Sequence, residues 1–167
     1  MVLTKILKYQ MLVVLAFLFA DEANAIDLVK IFSKELKTDQ ADVSLQKFIP
    51  ECGDDFGTNE FFKLYVKKQW EGYVVLTRAK GRHDYFDFLI WYSSGMSVKL
   101  VKVVSYSSDH GSEISGKNWL LQFAGYSGNK LIYGKDIQAI SGATISGKAI
   151  TSKIEEITGK LKTCIGN

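Results

Sequence analysis

The apolar positions of this chain follow a helical period at both ends and an extended one in the middle. Leu28, Ile31, Phe32 and Leu36 recur at the spacing of one helix face, with Asp27 placed to cap that helix. A second short helix is predicted from about Asp39 to Ile49, with Val43 and Phe48 among its apolar positions and Pro50 as its stop. Glu51 to Asn59, which holds two glycines and three acidic residues including Asp54-Asp55, reads as a solvated loop. Four strands are then predicted, at Phe61 to Val66, Tyr73 to Thr77, Asp84 to Tyr92 and Val98 to Tyr106, each dense in aromatic and β-branched residues. Lys80-Gly81 marks one turn, and Ser93-Ser94-Gly95 is short enough to pair the last two strands as an antiparallel hairpin. A polar loop from Ser107 to Lys117 precedes a short helix at Asn118 to Ala124, with Trp119, Leu120 and Phe123 on one face. From Ile145 the positions Ile150, Ile154, Ile157 and Leu161 predict a long C-terminal helix. The order is α+β: an antiparallel meander sheet packed by N-terminal helices and a C-terminal helix.

The first 25 residues have the form of an export signal, followed by one domain over 26–167. Lys5 and Lys8 form a basic n-region, Met11 to Ala20 is an apolar run of ten, and Ala23-Asn24-Ala25 fits a cleavage site. Ten residues are too few to span a bilayer. The expected location is periplasmic or otherwise extracytoplasmic, with membrane association through a retained leader as the alternative. In such a compartment an even pair of cysteines, Cys52 and Cys164, invites a disulfide, although spacing alone leaves open whether they meet. The formal charge is only +3, and the lysines are spread along the chain as solvated faces with no long basic run, so nothing predicts nucleic-acid binding. Neither of the two histidines belongs to an H-x-x-x-H pair, and the cysteine spacing matches no zinc pattern, so no metal site is expected.

The stretch richest in chemistry is Asp136 to Ser152. Its core, Ser141-Gly142-Ala143-Thr144, followed by Ile145 and Ser146, sits at the start of the C-terminal helix. Unpaired N–H groups and the helix dipole favour an anion such as phosphate there. A plain cap by Ser141, Thr144 or Ser146 would explain the same residues.

This segment resembles the signature of the FMN-binding domain found in the peripheral flavoprotein subunits of sodium-pumping quinone reductase and of the related electron-transport complex. The similarity runs from Lys67 through Ser152. It takes in Gly72-Tyr73-Val74-Val75, Lys80-Gly81-Arg82-His83-Asp84, Tyr106, His110-Gly111 with Glu113-Ile114, Trp119-Leu120 with Gln122-Phe123, and Gly134-Lys135-Asp136-Ile137. In that family the last Thr of the Ser/Thr-Gly-Ala-Thr motif carries FMN through a phosphoester, installed by a separate flavin transferase. The resemblance makes Thr144 the acceptor, with Ser141, Gly142, Ala143, Ile145 and Ser146 around the phosphate. It places the loop holding His110, Gly111 and Glu113 near the flavin, and offers Trp119 as part of an apolar wall. The family pattern has an acidic residue three positions before the Ser. Here that position is Gln138, with Asp136 two residues earlier, which leaves covalent and noncovalent FMN both open.

What the resemblance implies is an exported electron carrier that works with a membrane-bound redox partner. FMN brings one- and two-electron chemistry that side chains lack. No G-x-S-x-G elbow, Walker loop or Cys-His pairing argues for a catalytic residue of another kind. A flavin-dependent reductase of a small acceptor, and a non-redox binding or assembly module, are the alternatives.

Overall fold

The computed structural model describes residues 22–52, 56–107 and 111–165. The apolar leader, the Asp54-Asp55 pair and His110 lie outside the described residues. Helix α1 spans Glu22–Leu36. It is followed by a 3-10 turn at Gln40–Asp42 and by strands β1 (Val43–Phe48), β2 (Glu60–Val66), β3 (Gln69–Lys80), β4 (Tyr85–Tyr92) and β5 (Val98–Ser105). A 3-10 turn at Ser112–Ser115, the short helix α2 (Lys117–Leu120) with its 3-10 extension Leu121–Phe123, and the long helix α3 (Thr144–Ile165) complete the order.

The five strands form one antiparallel sheet in chain order, β1-β2-β3-β4-β5, so the predicted α+β meander is the observed fold. Alternation sends successive side chains to opposite faces. On one face Phe62, Leu64, Val74, Leu89 and Trp91 pack against Leu28 and Phe32 of α1. Phe32 meets the edge of Trp91 with ring centroids 5.7 Å apart. On the other face Val75, Phe86, Phe88, Ile90 and Tyr92 pack against Ile150, Ile154, Ile157 and Leu161 of α3. The helical stripe read from sequence is thus the buried face of α3.

Three expectations are corrected. The second N-terminal helix is strand β1, which pairs with β2 in register Val43↔Val66 through Phe48↔Phe61. Val43 and Leu45 point toward α1 whereas Phe48 joins the opposite core, a period of two that the apolar spacing of five between Val43 and Phe48 conceals. The sheet therefore has a fifth strand and a single helix on the N-terminal side. Asp27 does not open α1, which begins at Glu22. Strand β3 is much longer than Tyr73 to Thr77, because a bulge between Leu64 and Tyr65 lets pairing with β2 continue to Gln69.

Cys52, after β1, is disulfide-bonded to Cys164 in the last turn of α3, with Cα atoms 5.1 Å apart. The bridge ties the far end of α3 to the β1 side of the sheet and accords with an extracytoplasmic, oxidising location. No helix among the described residues is long and apolar enough to cross a membrane.

Candidate functional site

Helix α3 begins at Thr144, and the N–H of Gly147 closes the first turn on the carbonyl of Ala143 at 2.8 Å. The residue at the cap position is therefore Ala143, whose methyl group cannot accept a hydrogen bond. Among the described residues nothing accepts from the N–H groups of Thr144, Ile145 and Ser146. Ser146, one of the expected caps, is buried and bonds instead to Tyr106, hydroxyl to hydroxyl at 3.3 Å. Thr144 is exposed. The first turn of α3 thus presents free donors beside a free hydroxyl, which suits an oxyanion such as phosphate.

The segment leading into this turn is held by side chains from α2 and its extension. Trp119 donates its Nε1–H to the carbonyl of Gln138 at 2.7 Å, and the Gln138 N–H donates to the Gln122 side chain at 2.8 Å. Both backbone groups of Gln138 are engaged while its side chain is exposed. The Asp136 carboxylate accepts the Ile132 N–H at 2.8 Å within the preceding turn. Next, the hydroxyl of Tyr133 accepts from the Ile140 N–H at 2.8 Å. Its ring passes so close to the start of α3 that a Cβ at Gly147 would stand 2.6 Å from it. Only glycine admits this crossing.

An open cavity of about 200 Å³ lies at the helix start, lined by Arg82, His83, Gly111, Gly142, Ala143, Thr144, Ile145 and Ser146. Gly111 approaches from the β5 side with a φ of 86°, and a Cβ there would lie 2.6 Å from the Tyr106 hydroxyl. Arg82 and His83 come from the turn between β3 and β4, closed by the Gly81 N–H on the carbonyl of Asp84 at 2.9 Å. The Arg82 guanidinium forms no ion pair among the described residues and brings a positive charge to the cavity that the free N–H groups line.

Of the expected site residues, Thr144, Ala143, Gly142, Ile145, Ser146 and Gly111 meet in the cavity. Ser141 is exposed at its approach, and the Glu113 carboxylate lies beside Gly142, 4.0 Å from where a Cβ would be. Trp119 is not in the cavity wall: it is buried against Phe123 and acts on the turn through Gln138. Arg82 and His83 also line the cavity, although in sequence His83 beside Asp84 reads first as a surface pair in a strand-entry turn and Arg82 carries no role of its own. Their place in the Lys80 to Asp84 stretch was visible in the sequence, but only the meander turns that stretch toward α3. Among the described residues no three potential metal ligands come together.

Compared with known proteins, the chain matches no protein-family model and no curated protein sequence.

Proposed function

We propose that this protein is an exported, periplasmic or otherwise extracytoplasmic FMN-carrying electron-transfer protein, with the flavin phosphate held at the start of α3 and joined to Thr144 by a phosphoester. The observation that carries this reading is the cavity in which an exposed Thr144 hydroxyl, three unused N–H groups and Arg82 converge. That donor set fits the phosphate end of FMN: the N–H groups and guanidinium would neutralise it, and the Thr144 Oγ1 would carry the ester. FMN, when bound, supplies the one- and two-electron transfer. The chain's own part is to bind, orient and retain it. The cavity at the start of α3 is open, which suits a flavin presented to a membrane-bound redox partner.

The test is the intact mass of the exported protein made beside a flavin transferase, compared with Thr144→Ala. The expected result is an addition of FMN less one water, absent from the variant. Yellow protein of unmodified mass would mean noncovalent FMN and remove the ester. Unmodified, colourless protein would overturn the flavin reading in favour of a binding or assembly role.

A further inference from the structure

Lysines that the sequence spreads over nearly forty residues are gathered by the fold at one end of the molecule. Lys37 ends α1 with a φ of 52°, in a Schellman arrangement where the Thr38 N–H reaches the Ser33 carbonyl at 3.0 Å. That position is ordinarily glycine. Lys67 and Lys68 form the entire two-residue turn between β2 and β3, with φ values of 49° and 65°. Both central residues of such a turn need a positive φ, so Asn-Gly is the favoured pair and Lys-Lys is strained. The two sites adjoin through Asp42, whose carbonyl accepts the Lys67 N–H at 2.7 Å and whose carboxylate accepts the Thr38 hydroxyl at 3.0 Å. Three of the four non-glycine residues with positive φ among the described residues are therefore lysines at one tip.

All three are exposed, and none forms an ion pair among the described residues, although lysines elsewhere do. Lys30 and Lys34 extend the surface up the exposed side of α1; among the described residues Asp39 and Asp42 oppose it, while Glu35 is paired with Lys102 and Glu71 with Lys99. Trp70, two residues beyond the turn, is 43% exposed, with its Nε1–H donated to the Gly72 carbonyl.

We infer that this tip docks on an anionic bilayer surface. Lysine is a compact, strongly hydrated charge without the fork that arginine uses to grip carboxylates. On a protruding hairpin it suits diffuse phosphate headgroups better than a shaped acidic protein face, and an exposed tryptophan belongs at headgroup depth. Strain kept at three basic positions that Gly or Asn would relieve points to use rather than architecture. Strand β3 runs 12 residues from this tip to the Arg82 turn, so the docked molecule holds the cavity about 35 Å from the headgroups, open to a partner.

The test uses the full-length gene product recovered after export, sedimented with phosphatidylcholine vesicles with and without phosphatidylglycerol, beside a Lys37→Gly, Lys67→Asn, Lys68→Gly variant. The expected result is salt-sensitive binding that depends on phosphatidylglycerol and falls roughly fivefold per lysine, or about a hundredfold in the variant. The variant should also melt about 5 °C higher, which excludes misfolding as the cause. Equal binding to both vesicle types, or undiminished binding by the variant, would overturn the proposal. Capture on poly-glutamate without vesicle binding would overturn it in favour of an acidic protein partner. The readout involves no flavin, so it succeeds or fails separately from the cofactor reading.

Discussion

Trp119 and Gln138, 19 residues apart in the chain, are joined by a 2.7 Å hydrogen bond from the indole N–H to the backbone carbonyl, just ahead of the turn that carries Thr144. This bond fixes where the chain enters the first turn of α3. Trp119→Phe keeps an aromatic ring in the core beside Phe123 and removes the donor. The expected loss is about 1 kcal/mol in urea unfolding and, on the flavin reading proposed above, reduced occupancy of Thr144 by FMN. Unchanged stability would show that the bond does not hold the turn.

At Gly147 an added methyl group would collide with the Tyr133 ring. Gly147→Ala should therefore destabilise by about 1–3 kcal/mol despite the better helix propensity of alanine. In a Tyr133→Ala background the same change meets no ring and should be neutral or stabilising. A double-mutant cycle by thermal unfolding separates the two terms, and an additive result would refute the steric account.

Tyr92 is buried, and its hydroxyl pairs with that of Thr158 at 2.9 Å. Burial raises its pKa well above the ordinary phenol range; the bond to Thr158 opposes the shift, and Tyr126 adds to it. Tyr126 and Tyr73 are raised too, each chiefly by burial. Because the folded state favours the protonated phenols, their contribution is fully present below the unfolded value of about 10 and is lost as pH rises above it. Tyr92→Phe should cost about 1 kcal/mol at pH 7 yet show a shallower loss of stability between about pH 10 and 11. Parallel urea midpoints for both proteins across that range would sink the assignment.

The bridge between Cys52 and Cys164 spans a sequence separation of 112. Closing so long a loop restricts the unfolded chain, and reduction should lower stability by about 2–5 kcal/mol. Thermal melts with and without a reductant measure this. Equal melting temperatures would mean that the bridge joins elements already fixed by packing.

The parts of the fold legible in sequence are those whose pattern is local. Ile150, Ile154, Ile157 and Leu161 of α3 keep one helical phase, and Ser93-Ser94-Gly95 sits between two unmistakable strands. Strand β1 is hidden in the sequence because it is an edge strand with polar residues at Ser44, Gln46 and Lys47, so its faces are told apart only by the layers above and below. The candidate site was legible at Thr144, where the turn and the helix are neighbours in the chain. It was not legible at Arg82, whose approach to α3 depends on the register of β3 with β4. Trp119 and Gln122 stood out as residues worth noting, but their task of gripping the backbone of Gln138 lies in the fold alone.

The sheet is complete by Ser105, well before Thr144 opens α3. The strands thus all precede, in the chain, the helix that bears Thr144. The cavity needs the β3–β4 turn on one side and this helix on the other, so it exists only where sheet and helix have been brought together. A mark placed on Thr144 by an enzyme that reads the assembled cavity would certify a finished fold.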